Sequence, residues 1–232
     1  MTTNKLVSKG LLLGLCFTLF LPQVSHGFNG SAHERLTRRA VGDPPQSNAS
    51  QLNDFLMNNL GFDFPQGINE PISGGQSPID LIADGSVKED SPPTRVLHHF
   101  HDPTRTWNQA GENLSGFPLG NSSIVWSQLV PQGACCGNFA WKDARDAYYT
   151  ALTRTTTSER KSWFAKTFEI LGHLLHHVQD AAVPAHTRND FHFAPSERST
   201  FPLGDRFHFW AENNLDVIDA RTGVRTGVRP EY

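Results

Sequence analysis

A chain of 232 residues, 38% apolar and 19% charged, can bury one domain-sized core and is too apolar for a disordered protein. A formal net charge of −3 provides no basic footprint for duplex nucleic acid. Three cysteines are too few for a disulfide-rich scaffold.

The N-terminus carries Lys5 and Lys9, an apolar run over 11–21, and then Ser25-His26-Gly27 with small residues at the minus three and minus one positions. This pattern predicts a secretory signal peptide, residues 1–27, cleaved before Phe28. The run is too short to span a bilayer comfortably. Loss of Lys5 and Lys9 takes the formal charge from −3 to −5, and the expected destination is the periplasm or the medium. Cys135 and Cys136 then remain, and adjacent cysteines rarely form an ordinary structural bridge. Core packing, with metal as a further support, is therefore expected to hold the fold.

Apolar periodicity predicts short helices over 28–41 and 51–60, the latter placing Leu52, Phe55, Leu56 and Leu60 on one face. Residues 61–95 are rich in Gly, Pro and Asp and read as irregular, with one helical turn near 79–83. A helix over 121–130 precedes Pro131. A stronger one over 138–153 has a stripe of Ala140, Ala144, Ala147, Tyr148 and Ala151. Thr156 and Glu159 form a capping box for the next helix, whose apolar face runs through Phe164, Phe168, Leu171, Leu175 and Val178 toward Pro184. A last helix follows Asp205. With no alternating strand pattern and no repeat, the expected class is all-α, one compact multi-helix domain over 28–219 with a short tail over 220–232.

The most informative stretch is LGHLLHHVQDAAVPAHTRND, residues 171–190. His176 and Asp180 are four apart and share a helix face, so they can grip one ion. Pro184 ends the helix, and the turn it forces carries His186 back toward a neighbouring ion. An isolated histidine on an amphipathic helix is more often a surface or hydrogen-bonded core residue. The other matches shift that balance. His208 and Glu212 are again four apart, and farther upstream Asp90 precedes the cluster Leu97-His98-His99-Phe100-His101-Asp102-Pro103.

Taken together, these motifs resemble the zinc-dependent phospholipase C superfamily, which shares its fold with fungal-type single-strand-specific zinc nucleases. The resemblance covers nearly the whole mature chain and implies three zinc ions at the bottom of a cleft in an all-α domain. It implies Asp90, His99, His176 and Asp180 on one zinc and His186, His208 and Glu212 on a second. Phe28, through its free α-amino group and carbonyl, His33 and a bridging Asp180 would hold the third. Phe28 stands where the family has Trp, and Asp90 stands closer to His99 than in better-known members, with Asp84 as the alternative ligand. His101 takes a position where an aromatic residue is common. His98, His173, His177 and His192 match no ligand position and read as supporting or surface residues.

The resemblance further implies a phosphodiester substrate attacked by zinc-activated water, with Asp90 positioning or deprotonating that water. HFHDP is closer to the phospholipase form of the motif than to the nuclease form, so the expected substrate is a glycerophospholipid at a membrane surface. The alternative is single-stranded nucleic acid, for which Trp107, Trp126, Trp141 and Trp163 are candidate stacking platforms, although aromatics at helical spacing are more often core. A catalytically silent zinc- or lipid-binding module is the third reading. No obligate protein partner is implied, and a monomer is expected.

Overall fold

The computed structural model describes residues 28, 30–42, 47–114, 116–129, 131–133, 136–190, 206–214 and 216–217, without the side chains of 47–50, 114, 206, 208–209 and 212. The predicted signal peptide, His192, Cys135 and the tail over 220–232 lie outside these residues. Among the described residues no helix is long and apolar enough to cross a membrane.

Helices dominate. They are α1 (Gly30–Val41), α2 (Ser47–Asn59), α3 (Pro78–Lys88), α4 (Ser123–Trp126), α5 (Trp141–Thr153), α6 (Thr157–Asp180), α7 (Pro184–Arg188) and α8 (Arg206–Asn213). β-Structure among the described residues is confined to the antiparallel pair β1 (Asn113–Leu114) and β2 (Phe117–Pro118) and one bridge between Ser73 and Gln76. The helix α6 is the spine, packed along its length by α3 and α5, with α1 laid against α3.

Thr156 caps α6 as its spacing to Glu159 predicts, accepting from the Glu159 N–H at 3.3 Å. In the first half of α6, Phe164 and Phe168 are buried against Phe64, with ring centroids 5.0 and 5.9 Å apart. Leu56, Ile68, Leu81, Ile82 and Ala151 complete this core. Arg160 grips Asp63 with two N–H donors, Nε to Oδ2 at 2.9 Å and Nη2 to Oδ1 at 3.0 Å, and so pins the loop after α2.

Five readings need correction. The helical turn expected near 79–83 is longer: α3 is a full helix, started by a capping box between Ser77 and Asp80 with Pro78 in its first turn. The predicted helix over 121–130 shrinks to the single turn α4. Phe55 and Val178 are exposed rather than core-facing. In its second half α6 turns its polar face inward, burying His173, His176, His177 and Asp180. Finally, Cys136 is disulfide-bonded, where no ordinary structural bridge is expected.

Two glycines make the spine possible. A Cβ on Gly85 would lie 2.1 Å from the Glu169 carbonyl oxygen, and one on Gly172 would lie 2.1 Å from that of Ile82. No side chain fits at this crossing, so α3 and α6 approach backbone to backbone. That approach sets up the site described next.

Candidate metal centre

The last carbonyls of a helix have no partner within it. At the end of α3 the Ser86 carbonyl accepts from His176 Nδ1 at 2.6 Å, across the glycine crossing. With the proton on Nδ1, the neutral His176 ring presents its Nε2 lone pair inward. His33 follows the same design on α1, with Nδ1 donating to Gln179 Oε1 at 2.6 Å and Nε2 turned toward Asp180. His186, on α7, donates from Nδ1 to the His99 carbonyl at 3.2 Å. Three imidazoles are therefore held in one tautomer by outer hydrogen bonds, an arrangement typical of metal-ligating histidines.

Four side chains meet at the centre of this array. Asp180 Oδ2 lies 3.0 Å from His99 Nδ1 and 3.1 Å from His176 Nε2, and those two nitrogens are 3.2 Å apart. Asp90 Oδ1 stands 3.6 Å from His99 Nδ1 and 3.5 Å from His176 Nε2. A tetrahedral ion with bonds of about 2.0–2.1 Å has donor-to-donor edges of about 3.3–3.4 Å, a value these separations bracket. His33 Nε2 extends the cluster, 3.4 Å from Asp180 Oδ1. Both Asp180 oxygens and His33 Nε2 are buried without a hydrogen-bond partner. Unsatisfied buried polar atoms are costly, and cation binding in this cluster would relieve that cost. These buried His and Asp groups can hold a metal ion.

The electrostatics agree. Burial opposes charge on His99, yet the Asp180 carboxylate and then Glu89 outweigh it and push the ring up to about 10. His33 is raised by the same contest, with Asp180 again outweighing burial. Burial would raise the Asp180 carboxyl, but His176 and His186 hold it well below the usual range. Positive charge is thus favoured on His99 and His33, while burial and then the charge of His33 lower His176.

The structure brings together five of the residues picked from the sequence, His33, Asp90, His99, His176 and Asp180, with His186 3.5 Å from Asp180. Phe28 is buried with its ring edge-on to His33, centroids 5.7 Å apart. His208 and Glu212 sit on α8, whose Ala211 packs with Ala32, Val183 and Ala185; their side chains lie outside the described residues. Asp84 is not at the centre, since it accepts from Gln76 at 2.6 Å on the surface side of α3. Asp90 alone among the four central side chains reaches solvent, with 11% of its side chain exposed. His101 supports the site through its backbone, donating to the His186 carbonyl at 2.9 Å.

Glu89 was not anticipated. It is fully buried and gathers His173 Nδ1 at 2.5 Å, Arg95 Nη2 at 2.5 Å, His177 Nε2 at 3.1 Å and Trp126 Nε1 at 3.2 Å. The signal was present in the sequence: His173 and His177 are four apart and interleave with the His176–Asp180 pair. Of the candidate stacking platforms, Trp126 is buried in this network and Trp107, Trp141 and Trp163 are exposed. Comparison with known proteins found no matching family model, no similar curated protein and no similar solved structure.

Proposed function

We propose that the chain is an exported zinc-dependent phosphodiester hydrolase with the fold of the zinc-dependent phospholipase C superfamily, cleaving glycerophospholipids to diacylglycerol and a phosphorylated head group. The observation that carries this reading is the convergence of Asp90 and Asp180 on His99 and His176, with donor separations of 3.0 to 3.6 Å, in the order and motif context that resemble that superfamily. The donors are nitrogen and oxygen with no sulfur, a set that suits zinc.

Zinc bound here would polarise a phosphoryl oxygen and bring the pKa of coordinated water to about 7. The chain's own residues do the rest. His33 and His176 keep their Nδ1 protons on oxygen acceptors and leave Nε2 as the inward donor, while His186 donates from Nδ1 to the His99 carbonyl. Asp90, the central carboxylate that meets solvent, orients the attacking water and can take its proton. His208 and Glu212 complete the second ion in this reading, and Phe28 with its α-amino group the third. Exposed Trp107 and Phe117, carried by the segment that follows His99, offer apolar contact to a lipid surface.

The test is hydrolysis by the processed chain of phosphatidylcholine micelles and of single-stranded DNA, side by side, with and without chelator. Diacylglycerol release that is abolished by chelation and restored by zinc is expected. Cleavage of DNA alone would replace the lipid reading with a single-strand nuclease, and zinc uptake without hydrolysis of either would leave a zinc- or lipid-binding module.

A further inference from the structure

We propose that the buried Glu89–Arg95 ion pair is a clamp that presets the metal centre by fixing the chain segments that deliver Asp90 and His99. This rests on the metal reading above and adds the residues that hold the ligands in place.

The clamp closes a short loop. Glu89 immediately precedes Asp90, and Arg95 opens the turn Arg95–His98 that ends at His99. The Nη2 to Oε2 bond of 2.5 Å between the two side chains therefore ties together the points where both ligands leave the backbone. Each partner is immobilised in turn. The Arg95 guanidinium lies between the rings of Trp126 and Phe139, 5.2 and 5.1 Å from their centroids, and its Nη1 donates to the Cys136 carbonyl. Glu89 also binds His173 and His177, which stand on the turns of α6 that carry His176 and Asp180. One carboxylate thus joins the loop ligands to the helix ligands. His99 lies across the junction, with Nδ1 toward Asp180 at 3.0 Å and Nε2 toward Glu89 at 3.8 Å.

By spacing alone, Glu89, His99 and His177 could hold an ion of their own. The donors around Glu89 argue otherwise. One oxygen already faces Arg95 and His173, the other His177 and Trp126, and the guanidinium balances the carboxylate charge. A cation placed there would confront that guanidinium. A buried ion pair gives little net stability compared with apolar packing, whereas removing one partner leaves an uncompensated charge. Positioning is the use that accounts for its place beside two ligands.

Cobalt(II) is the probe, titrated into the purified protein and followed by its visible absorption and by competition with a chelator. Glu89→Gln keeps the shape of the side chain, and the pair Glu89→Gln with Arg95→Met removes both charges without leaving one buried alone. Each folded variant, judged by helical circular dichroism, should bind cobalt on the order of 10- to 100-fold more weakly with an altered spectrum. If Glu89→Gln does not fold, the double variant decides. Wild-type affinity and spectrum in a folded variant would overturn the clamp while leaving the metal centre intact. Wild-type protein that takes up no cobalt would overturn the metal reading and the clamp with it.

Discussion

His99 and His176 point ring nitrogens at each other across 3.2 Å, Nδ1 to Nε2, with the Asp180 carboxylate about as close to both. Because His176 spends its only neutral-state proton on the Ser86 carbonyl, two lone pairs would face each other unless a proton or a metal stands between them. Replacing either ring should therefore empty the site. His176→Ala and His99→Ala are each expected to lower metal affinity by more than about 100-fold, measured as metal content after dialysis, since loss of an outer support alone costs up to that much. Retention of full metal content by both variants would remove these residues from the ligand set.

Proton release should accompany metal uptake. His99, pushed up to about 10, carries a proton at neutral pH in the metal-free protein, and His33 is raised in the same direction. A group raised on folding contributes stability that is complete below its unfolded value of about 6.5 and is lost as pH climbs through its folded value. Chelated protein should accordingly lose thermal stability between about pH 7 and pH 10, whereas zinc-loaded protein should hold its melting temperature better there. Titration calorimetry of zinc in two buffers of different ionisation heat should report proton release, and identical heats would count against the scheme.

Glu112 should be a liability above neutral pH. Its carboxylate is fully buried without a hydrogen-bond partner; burial and then the charge of Asp190 outweigh the nearby Asn113 N–H and raise it to about 7. An acid raised on folding destabilises as pH rises from its unfolded value through its folded one, here from 4.5 to about 7. Glu112→Gln is expected to gain up to about 3 kcal/mol at pH 8 and almost nothing at pH 4, read from denaturant melts at both. An equal effect at the two values would mean that the carboxyl does not titrate in this range.

The glycine crossing couples fold to site. Gly172→Ala places a Cβ against the Ile82 carbonyl and must splay α3 from α6, which should cost about 1–3 kcal/mol. Because the same approach delivers Ser86 to His176, metal affinity should fall with stability. Thermal melts and metal titrations on one preparation would check both, and a destabilised variant with unchanged affinity would separate the two roles.

Local signals were the readable part of this chain. The Thr156 cap, the alanine stripe of α5 and the helix stop before Pro184 each depend on neighbours in sequence, and each appears as read. The meeting of His176 and Asp180, one helical turn apart, was legible for the same reason. The helix α3 was hidden because its glycine and aspartate content reads as loop, while Ser77-Pro78-Ile79-Asp80 carried the better evidence of a helix start. The inward polar face of α6 was also hidden, since helical periodicity marks the apolar stripe and says nothing about which stripe a metal site will bury. Glu89 and Arg95 matched no ligand spacing, and only the folded loop reveals their partnership.

Processing should control activity if Phe28 supplies its α-amino group to a metal. Chain that retains residues 1–27 offers an amide nitrogen there, so it should show much weaker zinc-dependent hydrolysis than chain beginning at Phe28. Equal activity in the two forms would remove Phe28 from the site.

The central claim, that this cluster is a metal centre, is tested most directly by anomalous scattering at the zinc absorption edge from crystals of the zinc-loaded protein. A peak enclosed by Asp90, His99, His176 and Asp180 is predicted. Zinc-soaked crystals with these four side chains in place and no anomalous density between them would contradict it.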